Sequence, residues 1–337
     1  MSHAPIAALV YCVFVAGATS ARANDTSAQL ALGGLTFTKS DAISMDSEDL
    51  YISRDRVRVK YRFTNTSDAP IHTLVAFPLP DIPPATDDDD KKTFLGDPVS
   101  DLKFKTSVDG QPLALQLVEQ ALFRDQDVSG RLSALRVPLS RFAQGFGAAI
   151  NRLPKIERDQ LIADGLIRDR SVGNDNPDWD GLWALKTTLT RYQTFPARKT
   201  VTVEHEYVPI TGGSVGGVLT PEHRTQPGGG ADFTQERRQY CIDDDWLLSF
   251  EKKLRSQSKE ASSAYSEIWI GYVLKSGANW KGPIGDFRLV VDKGKPDSLV
   301  SFCADGVKKI SSTQFEVHRT NFSPSSDLDI LIIDWAR

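Results

Sequence analysis

The sequence predicts a mainly β protein, α+β overall, with two antiparallel β-sandwich-like domains and a helical segment between them. Three observations predict it. Val57, Val59, Tyr61 and Phe63 alternate with Arg56, Arg58, Lys60 and Arg62, and period two marks a strand with one face in a core. Short apolar runs of similar length recur between turn residues to the end of the chain. Residues 121–166 exchange that alternation for helical spacing. The divisions that follow are 1–23 as a signal peptide, 24–118 as an N-terminal sandwich, 119–180 as a helical link, and 181–337 as a β-rich domain with one helix and a disulfide.

Residues 4–18 form an apolar run broken by Pro5, Tyr11 and Gly17, and Ala21-Arg22-Ala23 gives the small-x-small pattern of a signal-peptidase site. The run falls short of the roughly 20 residues that a membrane helix needs. Export with cleavage after Ala23, and no stable membrane insertion afterwards, is the expectation. Met1-Ser2-His3 lacks the usual Lys or Arg, which leaves the start codon open, and Cys12 lacks a lipoprotein setting. With 40 basic against 44 acidic residues and a net charge of −4, nothing suggests nucleic acid as a partner.

After the strand at 57–63, Asn65-Thr66-Ser67-Asp68 makes a turn and residues 71–77 return. Pro78-Leu79-Pro80 stops that strand, because proline cannot donate to the ladder. Asp109-Gly110, between Leu102, Phe104, Val108 and Leu113, Leu115, Leu117, suits a tight hairpin whose two central residues need positive φ. Residues 140–153 and 155–167 are candidate helices. Residues 209–232 hold seven glycines and three prolines and read as a long loop. An amphipathic helix follows, with Trp246, Leu247, Phe250 and Leu254 on one side and Asp243 or Asp244 as its cap. Strands at 268–274, 287–291, 300–303, 315–317 and 328–333 complete the chain.

Cleavage would leave two cysteines, Cys241 and Cys303. In an oxidising compartment two cysteines most simply pair; the alternative is a pair of buried free thiols.

Several stretches together resemble a bacterial secreted family catalogued as domain-of-unknown-function family 4424. They are Gly33-Gly34-Leu35, MDSEDL from Met45, YRFTNTSDAPIHTLVAFPLPD from Tyr61, Phe195-Pro196-Ala197, His205-x-Tyr207-x-Pro209, Tyr240-Cys241, and NWKGPIGDFRLVVDKGKPDSLVSFC ending at Cys303. The resemblance implies a periplasmic location and two matching cysteines, and it carries no catalytic residues. The stretch from Phe63 to Pro80 with the following Val-Asp-Gly hairpin is also similar to the β-sandwich of vault/inter-α-trypsin-type domains, a likeness of fold alone.

Gly212-Gly213-Ser214-Val215-Gly216 fits G-x-S-x-G. A hydrolase would use Ser214 as nucleophile with His223 or His318 as base, yet the elbow needs a helix directly after it. Gly217-Val218-Leu219-Thr220-Pro221 starts a helix poorly. Asp87, Asp88, Asp89 and Asp90 offer hard oxygen ligands for calcium, though without EF-hand spacing, and adjacent aspartates usually mark a solvated loop. Arg56, Arg58, Lys60 and Arg62 form a basic stripe that would dock an acidic partner, unless carboxylates on neighbouring strands neutralise it. Trp280 is a further candidate binding residue. His205 shares its face with Val201, Val203 and Tyr207 and belongs in the core. No cofactor fingerprint is present. The leading expectation is a periplasmic, non-enzymatic module that binds an envelope protein or polymer; the alternatives are a secreted hydrolase, using Ser214 or a carboxylate pair, and a calcium-stabilised surface protein.

Overall fold

The computed structural model describes residues 26–31, 34–85, 93–94, 102–171, 177–257 and 264–336, with the backbone alone for 26–31, 34–37 and 93–94. The expected signal peptide at 1–23 and the candidate ligands Asp87, Asp88, Asp89 and Asp90 lie outside the described residues.

An eight-stranded sheet has the order β19 (Lys308–Lys309), β20 (Gln314–Phe322), β17 (Ile284–Asp292), β3 (Ile43–Ser53), β4 (Val57–Asn65), β14 (Thr200–Tyr207), β7 (Lys105–Val108) and β8 (Gln111–Pro112). Its neighbours are antiparallel except β3 and β17, which run parallel with Leu50 beside Leu289. In β4 the alternation buries Val57, Val59, Tyr61 and Phe63 and exposes Arg58, Lys60 and Arg62. Buried Asn65 holds the turn after it, donating from Nδ2 to the carbonyls of Ala69 (2.8 Å) and Phe195 (2.9 Å). Between β7 and β8, Asp109 (φ 49°) and Gly110 (φ 78°) both take the left-handed conformation expected of them.

A six-stranded sheet follows the order β10 (Gln126–Asp127), β9 (Gln116–Phe123), β13 (Ala184–Phe195), β5 (Ile71–Pro78), β1 (Thr26–Ala31) and β2 (Gly34–Thr38). A five-stranded sheet follows β18 (Leu299–Phe302), β21 (Leu328–Trp335), β16 (Tyr265–Tyr272), β15 (Thr211–Val215) and β6 (Thr93–Phe94). A small pair, β11 (Ile167–Asp169) and β12 (Trp179–Gly181), stands apart.

One apolar core joins these sheets. It takes Val59, Tyr61, Leu50 and Leu289 from the eight-stranded sheet, Val75, Phe77 and Phe195 from the six-stranded one, and Ile268, Ile330 and Ile332 from the five-stranded one. The architecture is mainly β, but its strands do not segregate at the boundaries read from sequence. β3 and β4 from the first stretch lie between β17 and β14 from the last, because both stretches bury their apolar faces in the same core. β9 likewise leaves the hairpin to pair with β13, Leu117 beside Leu189.

Two smaller cores flank the sandwich. Leu132 of α1 (Ser129–Ala134), Phe146 and Ile150 of α2 (Phe146–Asn151) and Leu161 of α3 (Lys155–Ala163) pack with Ala121 and Trp183. On the other side, Phe250 and Leu254 pack on Tyr265, Leu331, Ile333 and Trp335.

Residues 209–232, expected as a loop, instead contain β15, α4 (Pro221–Arg224) and the start of α5 (Gly229–Gln239). Gly216 (φ 69°) and Gly228 (φ 83°) do turn the chain, but Gly212 marks clearance instead: a Cβ there would come within 2.9 Å of Trp269 Cε3. The next helix, α6 (Asp244–Arg255), has the expected cap, with Asp243 Oδ1 accepting from the Trp246 N–H at 2.7 Å.

Polar groups punctuate the main core. Glu48 is fully buried, and the Tyr272 hydroxyl donates to its Oε1 at 3.2 Å. Tyr61 Oη lies 3.0 Å from Tyr272 Oη. Burial foremost, then the neighbouring Tyr61 and Glu48, raise the Tyr272 phenol well above its ordinary value. His205 is buried as expected, Nδ1 being 2.6 Å from Thr106 Oγ1. At one end of the sandwich Asp334 of β21 binds Arg54 Nη1 (2.6 Å), Lys295 Nζ (2.6 Å) and Ser298 Oγ (2.5 Å). That cluster ties the five-stranded sheet to the turn after β3.

Candidate functional site

Strand β16, YSEIWIGY, is apolar on both faces because both are covered. Ile268, Ile270 and Tyr272 point into the main core, while Tyr265 and Trp269 lie with the second core under the helices. Glu267 shares the Tyr265 and Trp269 face and is only 2 % exposed. The helical cover is held at several points. Phe250 of α6 meets Tyr265 edge-on at 5.0 Å, Trp246 Nε1 donates to the Val300 carbonyl at 2.8 Å, and Ser301 Oγ donates to the Tyr240 carbonyl at 2.8 Å. Cys241, just beyond α5, and Cys303, just beyond β18, form a disulfide with sulfurs 2.06 Å apart.

Glu267 does not stand alone under this cover. Burial first, then the charge of Glu236 on α5 and a hydrogen bond with that carboxyl, push Glu267 well above the ordinary carboxylate range. Hydrogen bonding to Trp269 and Tyr265 opposes the shift without reversing it. Two carboxyls this close in a low-dielectric site cannot both ionise without a compensating positive charge. The Tyr265 phenol is raised as well, by burial and then by Glu267 and Glu236. The Arg224 guanidinium on α4 is bound to Glu251 Oε1 at 2.8 Å and to the Leu219 carbonyl, and it lies 4.2 Å over the Phe233 ring.

Gly217 explains why the glycine-rich stretch stands where it does. A Cβ there would lie 1.9 Å from Glu267 Oε1. Ser214 lies directly opposite Glu267 in the β15–β16 register, and its hydroxyl donates to the Gly216 carbonyl at 2.6 Å. Ser214 is therefore a strand residue rather than the tip of a strand-to-helix elbow. Neither candidate base joins it in a triad-like chain. His318 Nε2 is 2.6 Å from Asp286 Oδ1 on the eight-stranded sheet, and His223 Nε2 is 3.8 Å from Asp232 on α5.

The basic stripe meets acidic neighbours. Lys60 sits in register between Asp49 and Glu204 and binds Glu204 at 2.7 Å. Arg56 is 3.8 Å from Glu206, and Arg58 lies 5.0 Å over the Tyr51 ring. Arg62 faces Thr202. Farther along the same face Arg288 joins Asp49 (3.1 Å) and Glu316 (2.8 Å). Trp280 is no surface residue: it is fully buried, with ring centroids 4.6 Å from Phe63 and 6.1 Å from Phe195. The large indole fills the core where β4 and β13 approach.

Sequence reading missed Glu236 and Glu267. The available signal was a lone carboxylate within a strand apolar on both faces. Its partner Glu236 lies on a polar helix that begins Gly229-Gly230 and carries no such mark.

Among known proteins, the family described as Domain of unknown function (DUF4424) matches residues 23–331. No curated protein matches the chain. A crystal structure of a candidate nutrient-binding protein from Legionella pneumophila is similar over 93 % of this chain and 72 % of its own, at 13 % identity and a TM-score of 0.38.

Proposed function

The chain belongs to the DUF4424 family, and from that membership we propose that it is a non-enzymatic binding module of the periplasm, exported through its leader and docking an envelope protein or polymer. The seating of Ser214 carries the reading. The one nucleophile-like motif in the sequence is explained as strand structure, with its hydroxyl held by the Gly216 carbonyl at 2.6 Å. Glu267, the carboxyl opposite it in the register, is 2 % exposed and presents no surface to a polymeric substrate. The disulfide supports an oxidising compartment. Among the described residues no helix is long and apolar enough to cross a membrane.

Native mass spectrometry of the protein recovered from its own cell envelope tests this directly. The reading expects a chain starting at Asn24, two hydrogens heavier after reduction, that retains or can be cross-linked to a partner. An ester, peptide and glycan panel should show no turnover. Hydrolysis that disappears in S214A would overturn it.

A further inference from the structure

We propose that the end of the sandwich carrying Lys252 and Lys253 of α6 and Lys308 and Lys309 of β19 docks reversibly on an anionic lipid surface, with Val307 and Ile310 reaching into the headgroup layer. The inference goes beyond the binding role above and does not depend on it.

Contacts between three elements bring these residues to one end. Lys253 Nζ lies 5.8 Å over the Trp335 ring, and Trp335 Nε1 donates to the Asp297 carbonyl, in the turn after β17, at 3.1 Å. Lys293 opens that turn and donates from Nζ to the carbonyls of Pro296 (2.8 Å) and Ser298. Its backbone N–H donates at 3.0 Å to the Thr313 carbonyl, in the hairpin whose other arm carries Lys308 and Lys309. Burial foremost, then the charges of Lys309 and Lys253, hold the Lys293 ammonium below its ordinary value, as crowded cations must.

Charge is not cancelled here as it is on the sheet face. Arg54 and Lys295 share a single oxygen, Asp334 Oδ2, each at 2.6 Å. Glu316, opposite Lys308 in the register, is taken by Arg288 at 2.8 Å. Among the described residues no carboxylate pairs with Lys252, Lys253, Lys308 or Lys309. The exposed acids nearby are Asp297 and Asp55, the latter 3.8 Å from Arg54. A chain of net charge −4 thus gathers unpaired cations at one end. Each pair of lysines has a local use, in guarding an edge strand or in complementing a helix C-terminus. Neither use accounts for Val307 and Ile310, which are 38 % and 45 % exposed beside Lys308 and Lys309. Aliphatic side chains interleaved with lysines suit a lipid interface, where the cations meet phosphates and the aliphatic groups leave water.

Vesicle flotation provides the test. The mature chain should float with phosphatidylcholine vesicles that contain phosphatidylglycerol and stay behind with phosphatidylcholine alone, and raised salt should weaken the binding. K252Q/K253Q and K308Q/K309Q should each weaken it by roughly tenfold or more, and together by roughly a hundredfold or more. V307S/I310S should weaken it severalfold. K103Q/K105Q, in and just before β7 at the far side of the same sheet, should leave it unchanged. No flotation with the anionic vesicles, undiminished binding when all four lysines are changed, or an equal loss in K103Q/K105Q would each overturn the proposal. Unchanged binding of V307S/I310S would overturn it as well, the partner then being a soluble polyanion.

Discussion

Gly217 and Glu267 fit together only because one of them has no side chain: a methyl group on Gly217 would lie 1.9 Å from Glu267 Oε1. G217A should therefore destabilise the protein by about 1–3 kcal/mol through overpacking. Much of that loss should disappear when Glu267 is also shortened to Ala. A double-mutant cycle by urea denaturation measures the coupling, and strictly additive effects would show that the two positions do not oppose each other.

The Tyr272 phenol donates to the buried carboxylate of Glu48. Y272F removes the hydroxyl 3.2 Å from Glu48 Oε1 and should destabilise by about 1–3 kcal/mol, the range for leaving a buried acceptor short of a donor. Adding Y61F should cost less than it does alone, because the two hydroxyls belong to one network. Equilibrium unfolding of the three variants checks both statements.

Asp334 makes stability depend on acid. Burial raises its pKa, but hydrogen bonds from Lys295 and Ser298 and the charges of Lys295 and Arg54 outweigh that, so its carboxyl titrates below the ordinary 3.8. A depressed pKa gives stability that is present above the unfolded value and lost as pH falls through the folded one. D334N should cost about 1.5–3 kcal/mol at neutral pH. Its unfolding free energy should converge on that of the wild type below about pH 3.8. A constant gap from neutral pH down to the acid limb would refute this.

The disulfide joins residues 62 apart, and closing a loop of that length is worth about 4 kcal/mol in the chain-entropy model. Reduction, or C241S/C303S, should lower unfolding free energy by about 2–4 kcal/mol. The loss should fall on the packing of α5 and α6 against the five-stranded sheet, where hydrogen exchange would detect it first.

How far the fold could be read depended on what covers each strand. β4 was legible because one face is buried and the other wet, so Val57 to Phe63 and Arg58 to Arg62 separate cleanly. β15 was not, since its Gly212 stands where Trp269 approaches, and clearance leaves the same trace as a turn. Helix α6 announced itself through Asp243 and the stripe from Trp246 to Leu254; polar α5 did not. The pairings of Lys60 with Glu204 and Arg56 with Glu206 depend on strand neighbours set by distant chain segments. Glu236 and Glu267 meet only through tertiary packing, which no local pattern records.

The parallel pairing of β3 with β17 has a consequence for the order of assembly. Residues 43–53 pair locally with β4, but their other edge stays unpaired until residues 284–292 are made, so the first long strand of the sheet waits for one near the end of the chain. During that interval its edge is open to proteases and to other chains. Contacts so far apart in sequence also favour slow folding. A chain truncated ahead of Ile284 should accordingly depend on holding chaperones that keep this edge from other chains.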